Sequence, residues 1–197
     1  MAPPPDAADG PALDLRRIIQ TLDRHDVEYV IVGGAAALGF GASRVTADAD
    51  CVARRSTANL GRLADAMRAL NARLDVEGMT DEEARQLPVQ FDAKMLAGSQ
   101  ISTWMTDAGG LDVLADIPDR GGQRLGYDQL AERAQLVTTT DGIALRVAAL
   151  EDIIASKEWA DRPKDHEALG ELYQLRDAAA ARDVAAQQCF PRPAADA

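Results

Sequence analysis

The chain has 197 residues, 32 of them acidic and 21 basic, for a formal net charge of −11. That length allows one good hydrophobic core with at most a small appendage. The acidic excess excludes a protein that coats nucleic acid through an overall positive field, though not one with a local basic site. Cys51 and Cys189 lie far apart and give no disulfide framework, which fits a reducing cytoplasm, and His25 and His166 are too few for a His-rich zinc site.

Residues 1–11, rich in Pro, Ala and Asp, read as a disordered tail. They carry neither the charged segment nor the apolar segment of a signal peptide, and no later run approaches the roughly 18 apolar residues of a membrane span. Leu15, Ile18, Ile19 and Leu22 at helical spacing predict a helix over 12–24. Tyr29-Val-Ile-Val32 predicts a buried strand over 28–33, and Gly33-Gly34 a turn into a short helix over 34–40. A second strand is expected at 48–53, and a helix from about 57 to 73 on the stripe Leu60, Leu63, Ala64, Met67 and Leu70. The stretch 80–98 is ambiguous and broken by Pro88. Strands over 100–106 and 110–116 flank the turn signal Ala108-Gly-Gly110, and a short helix (127–133) and a strand pair (135–138, 143–147) follow. The last third reads as two helices, with Pro163 placed as the first residue of the second. The expected organisation is a mixed α+β core over 12–148, a C-terminal helical hairpin over 149–188, and a loose tail over 189–197.

Within this frame, certain residues carry chemistry. Gly33 and Gly34 sit at a strand-to-helix turn, where free N–H groups form an anion site. Asp48 and Asp50, two apart on a strand, share one face. Carboxylates so close repel each other unless a cation or proton lies between them. Mg²⁺ suits such a pair, because it takes one or two protein carboxylates and completes its shell with water and phosphate oxygens. Asp112 stands in a later strand with Leu111 and Val113 on the opposite face; Asp116 is a weaker competitor on the same face. Lys157, four after Ile153, extends an apolar helical stripe rather than facing water, and Asp165, four before Leu169, does the same on the next helix. Such a Lys can hold a triphosphate as a point charge, and such an Asp can orient the Lys or the substrate. Arg44, Arg162 and Lys164 are candidate phosphate or RNA contacts, with Arg54 and Arg55 as further basic residues near the acidic pair. Nothing near Cys51 suggests a base, so it reads as packing.

The run from Tyr29 to Val52, with Gly33-Gly34 and Arg44-Val-Thr-Ala-Asp48-Ala-Asp50, resembles the opening of the minimal nucleotidyltransferases of the DNA polymerase β superfamily. The run Leu150-Glu-Asp-Ile-Ile-Ala-Ser-Lys157 followed by Asp161-Arg-Pro-Lys-Asp165 resembles the AbiEii/MenT toxin branch. The resemblance spans roughly residues 13–176. It implies a polymerase β-like core with a mixed sheet flanked by helices. It also implies that Asp48 and Asp50 bind Mg²⁺ and that Asp112 completes the carboxylate set or acts as base. Gly33, Gly34 and Lys157 would hold an NTP with Asp165 beside them; apart from the resemblance, Arg44 is a candidate nucleotide contact and Arg162 and Lys164 are candidate acceptor contacts. Many relatives carry Ser where this chain has Gly34, so that hydroxyl is missing here. The branch adds nucleotides to the tRNA 3′ end as the toxin of a toxin–antitoxin pair, which implies a cognate antitoxin partner. Two other readings stay open: an adenylyltransferase acting on a protein or small molecule, and a non-catalytic binding protein or antitoxin that keeps the fold.

Overall fold

The computed structural model of the chain describes residues 11–76, 78–87 and 92–189. Nearly all of the two expected tails, and Pro88, lie outside the described residues.

In chain order the elements are α1 (Leu15–Arg24), β1 (Tyr29–Val32), α2 (Gly33–Gly39), β2 (Asp48–Ala53), α3 (Thr57–Ala69), β3 (Arg73–Leu74), α4 (Asp81–Gln86), α5 (Ala93–Gly98), β4 (Ile101–Thr106), β5 (Gly109–Leu114), β6 (Asp116–Pro118), β7 (Arg124–Gly126), α6 (Tyr127–Arg133), β8 (Gln135–Thr138), β9 (Ala144–Val147), α7 (Leu150–Ala160) and α8 (Pro163–Cys189). Among the described residues, seven strands form one mixed sheet in the order β3-β4-β5-β2-β1-β9-β8, and β6 and β7 form a separate hairpin. The expected α+β architecture with a C-terminal pair of helices is what the chain adopts.

Strand β1 shows why. All four of its residues are apolar and buried, so it can sit only inside a sheet covered on both faces. It pairs antiparallel with β2 and parallel with β9. Helix α1 is capped by the Asp14 carboxylate, which accepts from Arg17 N–H, and it buries Leu15, Ile18, Ile19 and Leu22. Each such side chain contributes about 1.5–3 kcal/mol on leaving water. Helix α3 packs against α1 and α5, while α2 packs on β1 and β2, and α7 on α8 and α2. No helix among the described residues is long and apolar enough to cross a membrane.

The sequence pattern overran some boundaries. The helix expected to reach 73 stops at Ala69, because Asn71 adopts a left-handed φ of 50° and turns the chain into β3. The strand expected over 110–116 ends at Leu114, and Asp116 opens the β6–β7 hairpin instead. The ambiguous stretch resolves into two short helices, α4 and α5, capped by Thr80 and Asp92.

Candidate active site

The site forms where three adjacent strands end. The strand period sets the Asp48 and Asp50 carboxylates on one face of β2, and Ala49 and Cys51 lie fully buried on the other. Parallel pairing places Asp50 beside Asp112 and Asp48 beside Gly110. Antiparallel pairing places Val32 beside Asp50, so β1 runs into Gly33 and Gly34 directly at the carboxylates.

Three glycines make this crowding possible. Gly33 has a φ of +63°, a left-handed conformation, and a Cβ there would lie 2.0 Å from Asp50 Oδ2. A Cβ on Gly34 would lie 2.7 Å from Thr46 Oγ1, and one on Gly110 would lie 3.0 Å from Asp48 Cβ. Helix α2 begins on this turn with Val32 as its N-cap and no side-chain cap hydrogen bond, which leaves its first N–H groups for water or a ligand.

The Asp50 carboxyl is raised to about 7, first by burial and then by the neighbouring charges of Asp48 and Asp112, with Lys157 and Lys164 pulling against them. The Asp112 carboxyl is also raised, first by burial, against a hydrogen bond from Thr103. Its Oδ1 is buried and has no hydrogen-bond partner among the described residues. An orphaned carboxylate oxygen beside two further carboxylates is a donor set that asks for a cation. Among the described residues, no three His, Cys, Asp or Glu side chains stand together so as to hold a metal ion by themselves. An ion bound here would therefore draw much of its shell from water and substrate oxygens, which is how Mg²⁺ binds.

Across a cleft of about 330 Å³, Lys157, Arg162 and Lys164 from α7, α8 and their junction face the carboxylates, and Arg44 joins them at the rim. Helix α7 buries Ile153 and Ile154, and Lys157 continues that stripe with its side chain 17% exposed. The chain reverses at Asp161, in the left-handed region, and α8 starts at Pro163. This turn brings Asp165, which is fully buried, under the cations. Asp165 accepts from Lys157 Nζ at 3.1 Å and Arg162 Nε at 2.6 Å. Burial pushes its carboxyl up, but those hydrogen bonds and charges outweigh burial and hold it below the ordinary carboxylate range. Asp165 does not line the cleft; it acts there through the two cations it holds.

The loop between α2 and β2 is strapped to α8. Ser43 donates from N and Oγ to Glu171 Oε1 at 2.6 and 2.8 Å, and Arg44 pairs with Glu167 at 3.1 Å. Val45 on this loop is 96% exposed, and Ile101, 58% exposed, stands with Leu114 and Ile117 along the cleft.

Gly33, Gly34, Arg44, Asp48, Asp50, Asp112, Lys157, Arg162 and Lys164 thus share one cleft. Other expectations need correction. Asp116 leaves the carboxylate face and pairs with Arg124 at 2.6 Å. Arg54 and Arg55 follow the far end of β2: Arg54 pairs with Glu28 and Asp128 and stacks on Tyr127, and Arg55 donates to the carbonyls of Ala97 and Ser99. Cys51 is a free thiol buried in the core, and burial first of all pushes it up to about 12. Thr46 is the site residue that motif reading passed over. Its signal was the continuation of the two-residue period through 46, 48 and 50.

No protein-family model matches the chain, and no curated protein matches it in sequence. Solved structures do match in three dimensions. The lincosamide antibiotic adenylyltransferase LnuA, with lincomycin bound, aligns with a TM-score of 0.55 at 12% identity, over 84% of this chain and 99% of that one. The antibiotic-resistance factor ANT(2'')-Ia aligns in its solution structure with a TM-score of 0.47 at 16% identity, over 88% of this chain and 93% of that one. Its crystal structure with adenylyl-2''-tobramycin gives 0.46 at 16% identity, over 85% and 95%. The likeness to LnuA shows that this chain shares the fold of that adenylyltransferase.

Proposed function

We propose that the protein transfers a nucleoside monophosphate from an NTP to an acceptor hydroxyl and releases pyrophosphate. The observation that carries this reading is one cleft with Asp48, Asp50 and Asp112 on one wall and Lys157, Arg162 and Lys164 on the other. Asp48 and Asp50, with Asp112 beside them, would hold Mg²⁺, which would supply charge neutralisation for the phosphates and the leaving oxygen. The N–H groups of the Gly33–Gly34 turn and the Lys157 ammonium would hold the triphosphate. Asp165 would keep Lys157 and Arg162 in place. Asp112, with an unpartnered oxygen and a raised pKa, suits the role of base: it takes the proton as the acceptor oxygen bonds to the α-phosphorus and the bond to pyrophosphate breaks. Positioning and charge neutralisation supply most of the catalysis in such a step.

The preferred acceptor is the tRNA 3′ end, with the protein acting as the toxin of a toxin–antitoxin pair held in check by a cognate antitoxin. What supports this is the resemblance of the Lys157 and Asp165 segment to that toxin branch, together with the cationic wall inside an otherwise acidic chain. A second reading has its own observation. Arg44 and Arg162 are already paired with Glu167 and Asp165, and the apolar side chains of Val45 and Ile101 stand exposed at the cleft. Those features suit adenylylation of a small molecule or a protein, and LnuA, an antibiotic adenylyltransferase, has the same fold.

One experiment separates the two. The protein is incubated with each labelled NTP and Mg²⁺, once with total RNA and once with an RNA-free small-molecule and protein extract. Label in tRNA supports the first reading, label elsewhere the second, and label nowhere overturns nucleotidyl transfer.

A further inference from the structure

We infer that Thr46 is a positioning residue of this site: its side chain fills the space over Gly34, and its hydroxyl tethers Asp48 in the rotamer that receives a cation. The inference rests on the nucleotidyl-transfer reading.

Thr46 Oγ1 lies 3.1 Å from both the backbone oxygen and Oδ1 of Asp48. A hydroxyl has one proton and two lone pairs, so it donates to one of these acceptors at a time. Oδ1 has lone pairs enough to accept from Thr46 and still ligate a metal. The tether has a task. Asp48 is part-exposed and repelled by Asp50 and Asp112, so an untethered carboxylate would swing toward water. Held in place, the charge cluster is preorganised for a cation.

The same side chain explains Gly34. A Cβ at that position would meet Thr46 Oγ1 at 2.7 Å and Thr46 Cβ at 3.0 Å, and its backbone has no left-handed φ that would itself demand glycine. Gly34 is therefore glycine because of Thr46, whereas Gly33 is glycine because of its φ and Asp50.

Two measurements test this on the full chain. The first is Mn²⁺ binding without nucleotide, followed by electron paramagnetic resonance. Thr46→Val keeps shape and loses the hydroxyl, and should weaken Mn²⁺ binding about tenfold, the size of one hydrogen bond to a charged group. Thr46→Ser should restore binding to near wild type. The second is a thermal-melting cycle. Gly34→Ala should lower the melting temperature in the wild-type background and raise it in a Thr46→Gly background, where helix propensity alone acts. Thr46→Val that binds Mn²⁺ like wild type overturns the tether. Gly34→Ala that is equally costly in both backgrounds overturns the space-filling role, and this readout holds even if Thr46→Val folds poorly. A wild-type protein that binds no Mn²⁺ and labels no acceptor instead overturns the nucleotidyl-transfer reading, and the tether with it.

Discussion

A Cβ on Gly33 would lie 2.0 Å from Asp50 Oδ2, so the backbone of the turn and the buried carboxylate occupy adjoining space with nothing between them. Gly33→Ala should therefore cost twice. The left-handed φ adds about 1–2 kcal/mol, and the collision displaces Asp50. Nucleotide transfer should fall at least a hundredfold while circular dichroism still reports a folded protein. Wild-type turnover in Gly33→Ala would show that Asp50 is not held by this turn.

Asp50 also sets a pH dependence. Its carboxyl rises from 3.8 to about 7, by burial first and then by the charges of Asp48 and Asp112. A carboxyl raised by folding binds its proton more tightly in the folded state, so the stability it contributes is full below about pH 4 and is lost as pH climbs through about 7. Asp112, raised as well, acts in the same direction. The metal-free protein should melt higher at about pH 5 than at about pH 8. Asp50→Asn should flatten that difference and abolish transfer. Added Mg²⁺ should raise the melting temperature more at the higher pH, where no proton competes for the carboxylates. Differential scanning calorimetry across this range checks all three outcomes, and full transfer activity in EDTA would refute the metal assignment.

The ion pair between α7 and α8 separates packing from chemistry. Lys157→Met keeps the stem and removes the charge, and Arg162 still satisfies Asp165. Stability should change by no more than about 1 kcal/mol, while NTP affinity drops at least tenfold. Asp165→Ala should do the reverse in emphasis: it leaves two cations without their buried partner, destabilises by about 2–3 kcal/mol, and weakens NTP binding through disorder of Lys157. Urea unfolding and nucleotide titration on both variants read the split. Equal NTP affinity in Lys157→Met and wild type would make Lys157 a packing stem.

For the acceptor, Arg162 is a poor probe, since reversing its charge would set a carboxylate against the buried Asp165. Lys164 is the better one; it faces the cleft and its charge reaches Asp50 and Asp112. If RNA is the acceptor, Lys164→Glu should lower the salt slope of RNA binding by about one and reduce transfer to tRNA at low salt. An unchanged slope with intact transfer to a small molecule would favour the second reading.

Much of this arrangement was legible in the residues. The buried β1, the two-residue spacing of Asp48 and Asp50, and the inward placement of Lys157 and Asp165 all follow from local periodicity, which one stretch of sequence can display. What stayed hidden depends on which strand lies beside which. The parallel register that puts Asp112 next to Asp50 joins segments far apart in the chain. The role of Thr46 depends on Gly34 approaching from the start of α2, and the diversion of Asp116 on a hairpin whose strands are three residues each. Arg54 and Arg55 follow β2 as closely as Arg44 precedes it, but a strand separates its two ends, and sequence proximity to the acidic pair did not amount to proximity in space.

The two walls of the cleft also come from distant parts of the chain. Asp48, Asp50 and Asp112 are in place once β2 pairs with β5, but Lys157 gains its partner only when α8 begins at Pro163 and Asp165 folds under it. Strand β9, the last to join β1, precedes both helices. Because a chain leaves the ribosome from its N-terminus, the carboxylate half is translated before the cationic half. On the proposed function, synthesis order would assemble the carboxylate wall before the cationic wall that would grip a triphosphate, so transfer would wait on α8.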